Sequence, residues 1–241
     1  MEGLAMDLYL IRHAESELNL DRRFIGGRSQ WCELSPRGKQ QALALGAWLE
    51  KEGQAFDRVI SSSAVRAQQT ARWALQGLYP LEKIEVATEL IEINMGDYEG
   101  QPRQETYSPE VVAAIQANPW GYVHPGGESQ RDVARRMISW IEANVAAMHE
   151  GSDDAIAIVS HGLSIRCMLS ELFDWDRDTV LEVPVRNTSI THLRHVPGNT
   201  PAWELVELDK AIHLEQAGLG ALDGIVRPTS VDAVESSESK T

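Results

Sequence analysis

Apolar residues in this chain fall into two patterns, short unbroken runs and longer stretches with helical spacing. Leu8-Tyr9-Leu10-Ile11 is a run too short for a helix, and it reads as a strand buried on both faces of a parallel sheet. Arg58-Val59-Ile60-Ser61, the segment 84–87 and Ala155-Ile156-Ala157-Ile158-Val159-Ser160 have the same character. Between these runs the period changes. Ser35 is a good N-cap, Pro36 suits a first helical position, and Ala42, Leu45 and Leu49 then repeat at helical spacing to a stop near Gly53. A second helix opens off the strand at 58–61 and carries Arg66-Ala67-Gln68-Gln69-Thr70-Ala71. Ser129 with Asp132 forms a capping-box pattern, which starts a long amphipathic helix with Val133, Met137, Trp140, Ile141, Val145 and Met148 on its buried face. Leu163 to Phe173 reads as a further helix. Segments 189–196 and 202–208 alternate like half-buried strands of an edge hairpin joined through Pro197-Gly198-Asn199. Strands alternating with helices predict an α/β fold around a mostly parallel sheet.

A chain of 241 residues without a composition break predicts one domain over 1–210. Residues 101–127, rich in proline and paired glycines, read as an excursion with a short helix around Val111 to Ala117. Residues 211–241, small, polar and acidic toward the end, read as a loosely packed tail. Hydrophobic residues make up 43% and charged residues 24%, and no apolar run approaches the length of a bilayer span, so a soluble globular protein is expected. Met1 to Asp7 lacks the basic start and apolar middle of a signal peptide, which predicts a cytoplasmic protein that does not engage membranes. The two cysteines, Cys32 and Cys167, form no CxxC pair, so neither a zinc site nor a disulfide framework is indicated. A net charge of −14 and a pI near 4.9 argue against nucleic acid as partner. They leave room for a small anionic substrate, because a few arginines in one cleft can hold a phosphate on an otherwise acidic protein.

The candidate chemistry sits where apolar runs stop. The first strand ends in Arg12-His13, and in open α/β sheets ligands bind outside the carboxyl ends of the strands. A fixed cation beside an imidazole repels a metal ion and attracts a phosphoryl group, which the ring nitrogen can attack. A single histidine in such a place is as often structural. Ser160-His161-Gly162 repeats the theme after another apolar strand, however, with the glycine allowing close approach of a ligand. Arg66 falls in the first turn of a helix whose N-terminal N–H groups favour an anion, although an exposed helix arginine is the commoner case. Residues 88–100 hold several glutamates, any of which, at a strand end facing an enclosed crevice, could give a proton to a leaving alcohol. Spacing does not single one out. The basic, glycine-containing loop 21–28 lies over the crevice, its arginines read as solvated, and Arg135 and Arg136 read as surface charge. Asp174-Trp175-Asp176-Arg177-Asp178 mimics a calcium loop, but Thr179 and Val185 stand where the glycine and the bidentate glutamate belong. His192 and His195, at odd spacing on one strand, cannot chelate together.

Taken in order, Arg12-His13-Ala14-Glu15-Ser16 with Asn19, Leu34-Ser35 with Gly38 and Gln41-Ala42, Ser62 with Arg66 to Ala71, and Leu90-Ile91-Glu92 before Gly96-Asp97-Tyr98-Glu99-Gly100 form a familiar series. Gly126-Gly127-Glu128-Ser129 and Ser160-His161-Gly162 complete it. The series resembles the histidine phosphatase superfamily, which includes cofactor-dependent phosphoglycerate mutases and many small-molecule phosphatases. The resemblance runs from about Met6 to Leu208, and one departure is Ala14, where the family more often has glycine. It implies a three-layer sandwich with a mostly parallel central sheet flanked by helices. It also implies that His13 is the nucleophile that becomes phosphorylated, that Arg12, Arg66 and His161 hold the phosphoryl oxygens, and that Glu92 is the proton donor. Asn19 matches a further phosphate contact, Gly26 and Gly162 fall beside the same pocket, and no metal or other cofactor is implied.

The expected activity is hydrolysis of a small phosphorylated metabolite. The family's mutases carry a lysine and paired arginines in the excursion after the Glu-Gly motif, whereas residues 101–127 here hold Arg103 and no lysine. Mutase activity is the first alternative and a catalytically silent binding protein the second. Tyr98, Trp120, Tyr122 and His124 could line an apolar wall, although loop aromatics more often simply pack. The substrate and the oligomeric state stay open.

Overall fold

The first apolar run becomes strand β1 (Met6–Arg12), and a single turn, α1 (Glu17–Leu20), follows it. This computed structural model describes residues 5–21, 23–148 and 152–220. Helix α2 (Pro36–Lys51) starts where expected, with the Ser35 hydroxyl accepting from the Gly38 N–H. Strand β2 (Arg58–Ser62) leads into α3 (Val65–Leu75), and the short β3 (Glu85–Ala87) precedes the excursion. The excursion holds α4 (Arg103–Thr106) and α5 (Pro109–Ala117). Next come α6 (Gln130–Ile141), β4 (Ala155–Ser160), α7 (Gly162–Leu172), β5 (Ile190–His195), β6 (Trp203–Lys210) and α8 (Ile212–Gln216).

The strands form one sheet in the order β3-β2-β4-β1-β5-β6. β3, β2, β4 and β1 run parallel to one another, while β5 pairs antiparallel with both β1 and β6 and closes one edge as a hairpin with β6. Alternate residues of the central strands serve the two faces, as a period of two requires. Leu8, Leu10, Ile156 and Ile158 pack with Val133, Met137, Ile165 and Leu169 of α6 and α7. Ile11, Val59, Ala157 and Val159 pack with Leu45, Leu49, Ala67 and Ala71 of α2 and α3 on the other side. The expected three-layer sandwich is thus observed, with helices on both faces of a mostly parallel sheet. Among the described residues no helix is long and apolar enough to cross a membrane.

Two expectations need correction. The amphipathic helix does not continue as one face to Met148. After Ile141 it loosens into a wider turn over Glu142–Ala146, and Met148 is exposed. The tail does not begin at 211 either, because α8 buries His213 and Leu214, and Arg37 donates to the carbonyls of Leu219 and Gly220. One apolar residue and one partnered histidine anchor a short helix that its composition did not mark. Arg22 of the basic loop and residues 221–241 of the expected tail lie outside the described residues.

The first turn of α2 meets the loop after β1 at very close range. A Cβ on Gly38 would stand 1.9 Å from the Glu15 carbonyl oxygen, a backbone atom also bound by the Ser35 N–H. Gly38→Ala is expected to lower stability by roughly 1–3 kcal/mol, as overpacking does, with a matching fall in the thermal unfolding midpoint. An unchanged midpoint would show that the two backbones are not held this close.

Candidate active site

Parallel pairing of β1 with β4 puts Arg12 level with Ser160, so His13 and His161 emerge side by side at the same edge of the sheet. Their ring centroids are 5.0 Å apart and both are buried. The Nδ1–H of His13 donates to the Ala14 carbonyl at 2.7 Å, since a carbonyl can only accept. Nε2 is therefore the unprotonated nitrogen, and the Nε–H of Arg66 points at it from 3.2 Å. His161 has the opposite tautomer: its Nδ1 accepts from Arg66 Nη2 at 3.0 Å, which leaves Nε2–H to donate to the Ser62 hydroxyl at 2.7 Å. Burial, helped by the nearby guanidinium groups of Arg66 and Arg12, holds both imidazoles well below the ordinary histidine range. Both rings are neutral, and His13 presents a lone pair.

Arg66 is buried between them, on the second residue of α3. Its remaining N–H groups donate to the carbonyls of Arg28 (2.9 Å), Ser29 (3.0 Å) and Gly27 (3.1 Å). All five guanidinium hydrogens are thus engaged, and any further acceptor must displace one of these contacts. The contacts to His13 Nε2 and to Gly27 are the longest and so the easiest to exchange. Burial lowers the Arg66 pKa, and the carboxylate of Glu92 works against that shift.

The backbone at residues 12–14 is pinned from several sides. The His13 N–H donates to Ser160, the Ala14 N–H to the Thr70 hydroxyl at 2.9 Å, and the Asn187 side-chain amide donates to the His13 carbonyl at 2.8 Å. Arg12 reaches the Val185 carbonyl at 2.8 Å. At Gly162 a Cβ would sit 3.0 Å from both Arg12 Nε and Arg166 Nη1, so the absence of a side chain leaves room for the two arginines. Burial, with the Arg12 charge beside it, pushes the Arg166 guanidinium down to about 10.

Of the glutamates at 88–100, Glu92 is the one brought to the pocket. Its carboxylate occupies the N-terminus of α7, accepting from the N–H groups of Leu163 (3.1 Å) and Ser164 (3.1 Å) and from its neighbour Ile93 (2.9 Å). The Ser164 hydroxyl lies 2.8 Å from Glu92 Oε1 and 3.0 Å from the Ile91 carbonyl, and its single proton serves one at a time. Asn19 is placed differently from the other expected residues. Its Oδ1 accepts from the Ser16 N–H at 3.0 Å and closes the capping box of α1, which leaves its NH2 group as the available donor. Gly26 lies in the loop over the pocket, and a Cβ there would meet nothing within 4 Å.

Three charged residues have contacts around the site that sequence reasoning did not assign to them. Glu99 accepts from the N–H groups of Arg28 (3.2 Å) and Ser29 and from the Ser29 hydroxyl (3.1 Å), fixing the loop whose carbonyls hold Arg66. Glu128 accepts from Arg28 Nη2 (3.3 Å), from the Asn94 N–H (2.8 Å) and from Arg136 (3.0 and 3.1 Å). Arg136 is therefore not the surface charge it was read as, since it also donates to the Glu92 carbonyl at 3.2 Å, whereas Arg135 is exposed. Arg28 is likewise paired rather than solvated. The Gly-rich loop and the acidic positions at 99 and 128 were visible in the chain, but no spacing rule links them across seventy to a hundred residues. The aromatics divide: Tyr98, Tyr107, Tyr122 and His124 stack edge to face, while Trp120 sits under Arg177.

A parallel α/β sheet that delivers two neutral histidines and a buried arginine to one edge defines the class, and residues 8–208 match the model of the histidine phosphatase superfamily (branch 1). The chain belongs to that superfamily, whose members are phosphatases or mutases. It is 32% identical over 209 residues to a 2,3-bisphosphoglycerate-dependent phosphoglycerate mutase of Methylobacterium radiotolerans, covering 85% of this chain and 96% of that one. It is 31% identical over 192 residues to a broad-specificity phosphatase of Saccharomyces cerevisiae, covering 78% and 79%. Among solved structures it resembles the mycobacterial glucosyl-3-phosphoglycerate phosphatase, with a TM-score of 0.71, 26% identity and coverage of 85% and 99%.

The tautomers give a direct test. In long-range 1H–15N spectra His13 is expected as the Nδ1–H form and His161 as the Nε2–H form, and neither should gain a proton as the pH falls through 6.5, their ordinary value. A midpoint near 6.5 at either ring would contradict the burial and charge described here.

Proposed function

We propose that this protein is a phosphoric monoester hydrolase that acts on a small phosphorylated metabolite through a phosphohistidine at His13. One observation carries the reading: the His13 Nδ1–H is committed to the Ala14 carbonyl, so a neutral Nε2 lone pair faces a buried guanidinium. Such a nitrogen is nucleophilic, and phosphoryl transfer asks mainly for positioning and for neutralisation of charge spread over three oxygens. The Nε2–P bond forms as the ester P–O bond breaks, with the oxygens taken up by Arg66, Arg12 and, once its Nε2–H is released from the Ser62 hydroxyl, His161. Glu92 gives the departing oxygen its proton. It then takes a proton from water, which attacks phosphorus, breaks the P–N bond and releases inorganic phosphate. Asn19, through its free amide donors, and the loop at Gly26 complete the phosphate pocket.

Charge over the pocket supports hydrolysis rather than internal transfer. Arg103 is the one lysine or arginine of residues 101–127, and its guanidinium lies 5.4 Å from the Tyr107 ring. Arg136 and Arg28 are committed to Glu128. A mutase must retain a doubly phosphorylated intermediate while it turns, and among the described residues these three arginines are already engaged. The second reading, a phosphoglycerate mutase, draws on the identity to the Methylobacterium enzyme.

His13→Ala is expected to lower turnover of p-nitrophenyl phosphate by roughly a thousandfold or more, as loss of a nucleophile does. Rapid quenching of the unaltered enzyme with 32P-labelled donor should trap an acid-labile adduct that the variant lacks. Residual activity close to that of the unaltered protein would remove the proposal. Interconversion of 3- and 2-phosphoglycerate faster than phosphate release would replace it with the mutase reading.

A further inference from the structure

Behind the nucleophile lies a buried histidine that the chemistry above does not use. His213, on α8, is 2% exposed and sits 2.9 Å from the Thr188 hydroxyl through its Nε2. That hydroxyl also lies 2.7 Å from the Asn187 carbonyl, which can only accept. The hydroxyl proton is therefore directed at the carbonyl, and the His213 Nε2–H donates to Thr188. Among the described residues its Nδ1 has no hydrogen-bond partner, and the ring's one hydrogen bond is to Thr188.

Thr188 is an unusual place to spend that bond. Its φ is +56°, the left-handed region, which is strongly disfavoured for a β-branched residue. Such a conformation persists only where surrounding contacts impose it, and it marks a segment held for a purpose. The segment 185–189 carries the contacts that set the nucleophile. The Val185 carbonyl accepts from Arg12, the Thr188 N–H donates to the Arg12 carbonyl, and the Asn187 amide donates to the His13 carbonyl. At its other end Arg186 is clamped to Asp209, by 2.6 and 2.7 Å bonds, and lies 3.6 Å from Glu215 of α8. Orientation of the His13 ring depends on the Ala14 carbonyl, and therefore on how firmly the peptides at 12–14 are fixed.

We propose that His213 is a positioning residue for the phosphoryl transfer, holding Thr188 in its left-handed conformation so that the 185–189 segment aligns Arg12 and His13. The inference rests on the reading of His13 as nucleophile. It gives α8 a part in catalysis although α8 supplies no group to the pocket.

His213→Leu removes the donor and keeps an apolar ring-sized volume, while His213→Gln retains an N–H at similar reach. With p-nitrophenyl phosphate, kcat of His213→Leu is expected to fall by at least about tenfold, the scale of a small misalignment of reacting groups. KM should stay within about threefold, and His213→Gln should recover most of the loss. Glycine adopts a left-handed backbone freely. In a Thr188→Gly background, the His213→Leu change is therefore expected to cost less than about threefold, the departure from additivity that marks an action through residue 188. Equal losses for Leu and Gln in step with lowered unfolding midpoints would reduce His213 to a packing residue and overturn the proposal. So would an unaltered kcat in His213→Leu, or full additivity with Thr188→Gly. If His13→Ala itself keeps its activity, the nucleophile reading fails and this inference falls with it. If His13→Ala is inactive and His213→Leu is not impaired, the reading stands and only the positioning role is lost.

Discussion

The site depends on keeping one guanidinium charged and away from water. Leaving a buried cation uncompensated costs several kcal/mol, and Arg66 meets that demand with five acceptors drawn from three separate segments: the two imidazoles and the carbonyls of residues 27–29. Each acceptor is also a constraint. The imidazoles must face inward in complementary tautomers, and the loop at 27–29 must turn three carbonyls toward the same point. The pocket is in this way built around a fixed cation with its surroundings already oriented, the kind of preorganisation on which electrostatic catalysis relies.

Carboxylates organise the periphery of that cation without touching it. Glu99 grips the N–H groups of the loop whose carbonyls bind Arg66, so one segment is held from its donor side by an anion and presents its acceptor side to a cation. Glu128 joins Arg28 to Arg136, and Arg136 reaches the backbone of Glu92. Glu92 itself fills the positive end of α7, directly after His161. The acidic overall charge of the chain is thus compatible with a cationic pocket, because the anions nearest the site hold loops in place and leave the crevice to arginine and imidazole.

Much of this was legible in the chain. Apolar runs of the right length marked β1, β2 and β4, Ser35 and Ser129 marked helix starts, and the break from apolar residues to Arg12-His13 and Ser160-His161 marked the sheet edge where the two histidines meet. The misreadings share a cause. Arg136 and Arg28 were taken for solvated charge, and α8 for part of a loose tail, because local pattern reports whether a residue can be exposed but not what stands opposite it. At Gly162 the chain showed a glycine but not the arginine side chains from β1 and from its own helix that stand 3.0 Å from where a Cβ would be.

Residue order by itself determined the element types, the two-faced burial of the central strands and the presence of a histidine at the end of each of two of them, since these follow from periodicity and from where polarity interrupts it. Only the folded chain decided that β1 and β4 are neighbours in parallel register, which glutamate stands at α7, and which nitrogen of each imidazole carries a proton. Those outcomes rest on hydrogen-bond partners contributed by residues distant in sequence, and a one-dimensional pattern holds no information about which distant donor meets which acceptor.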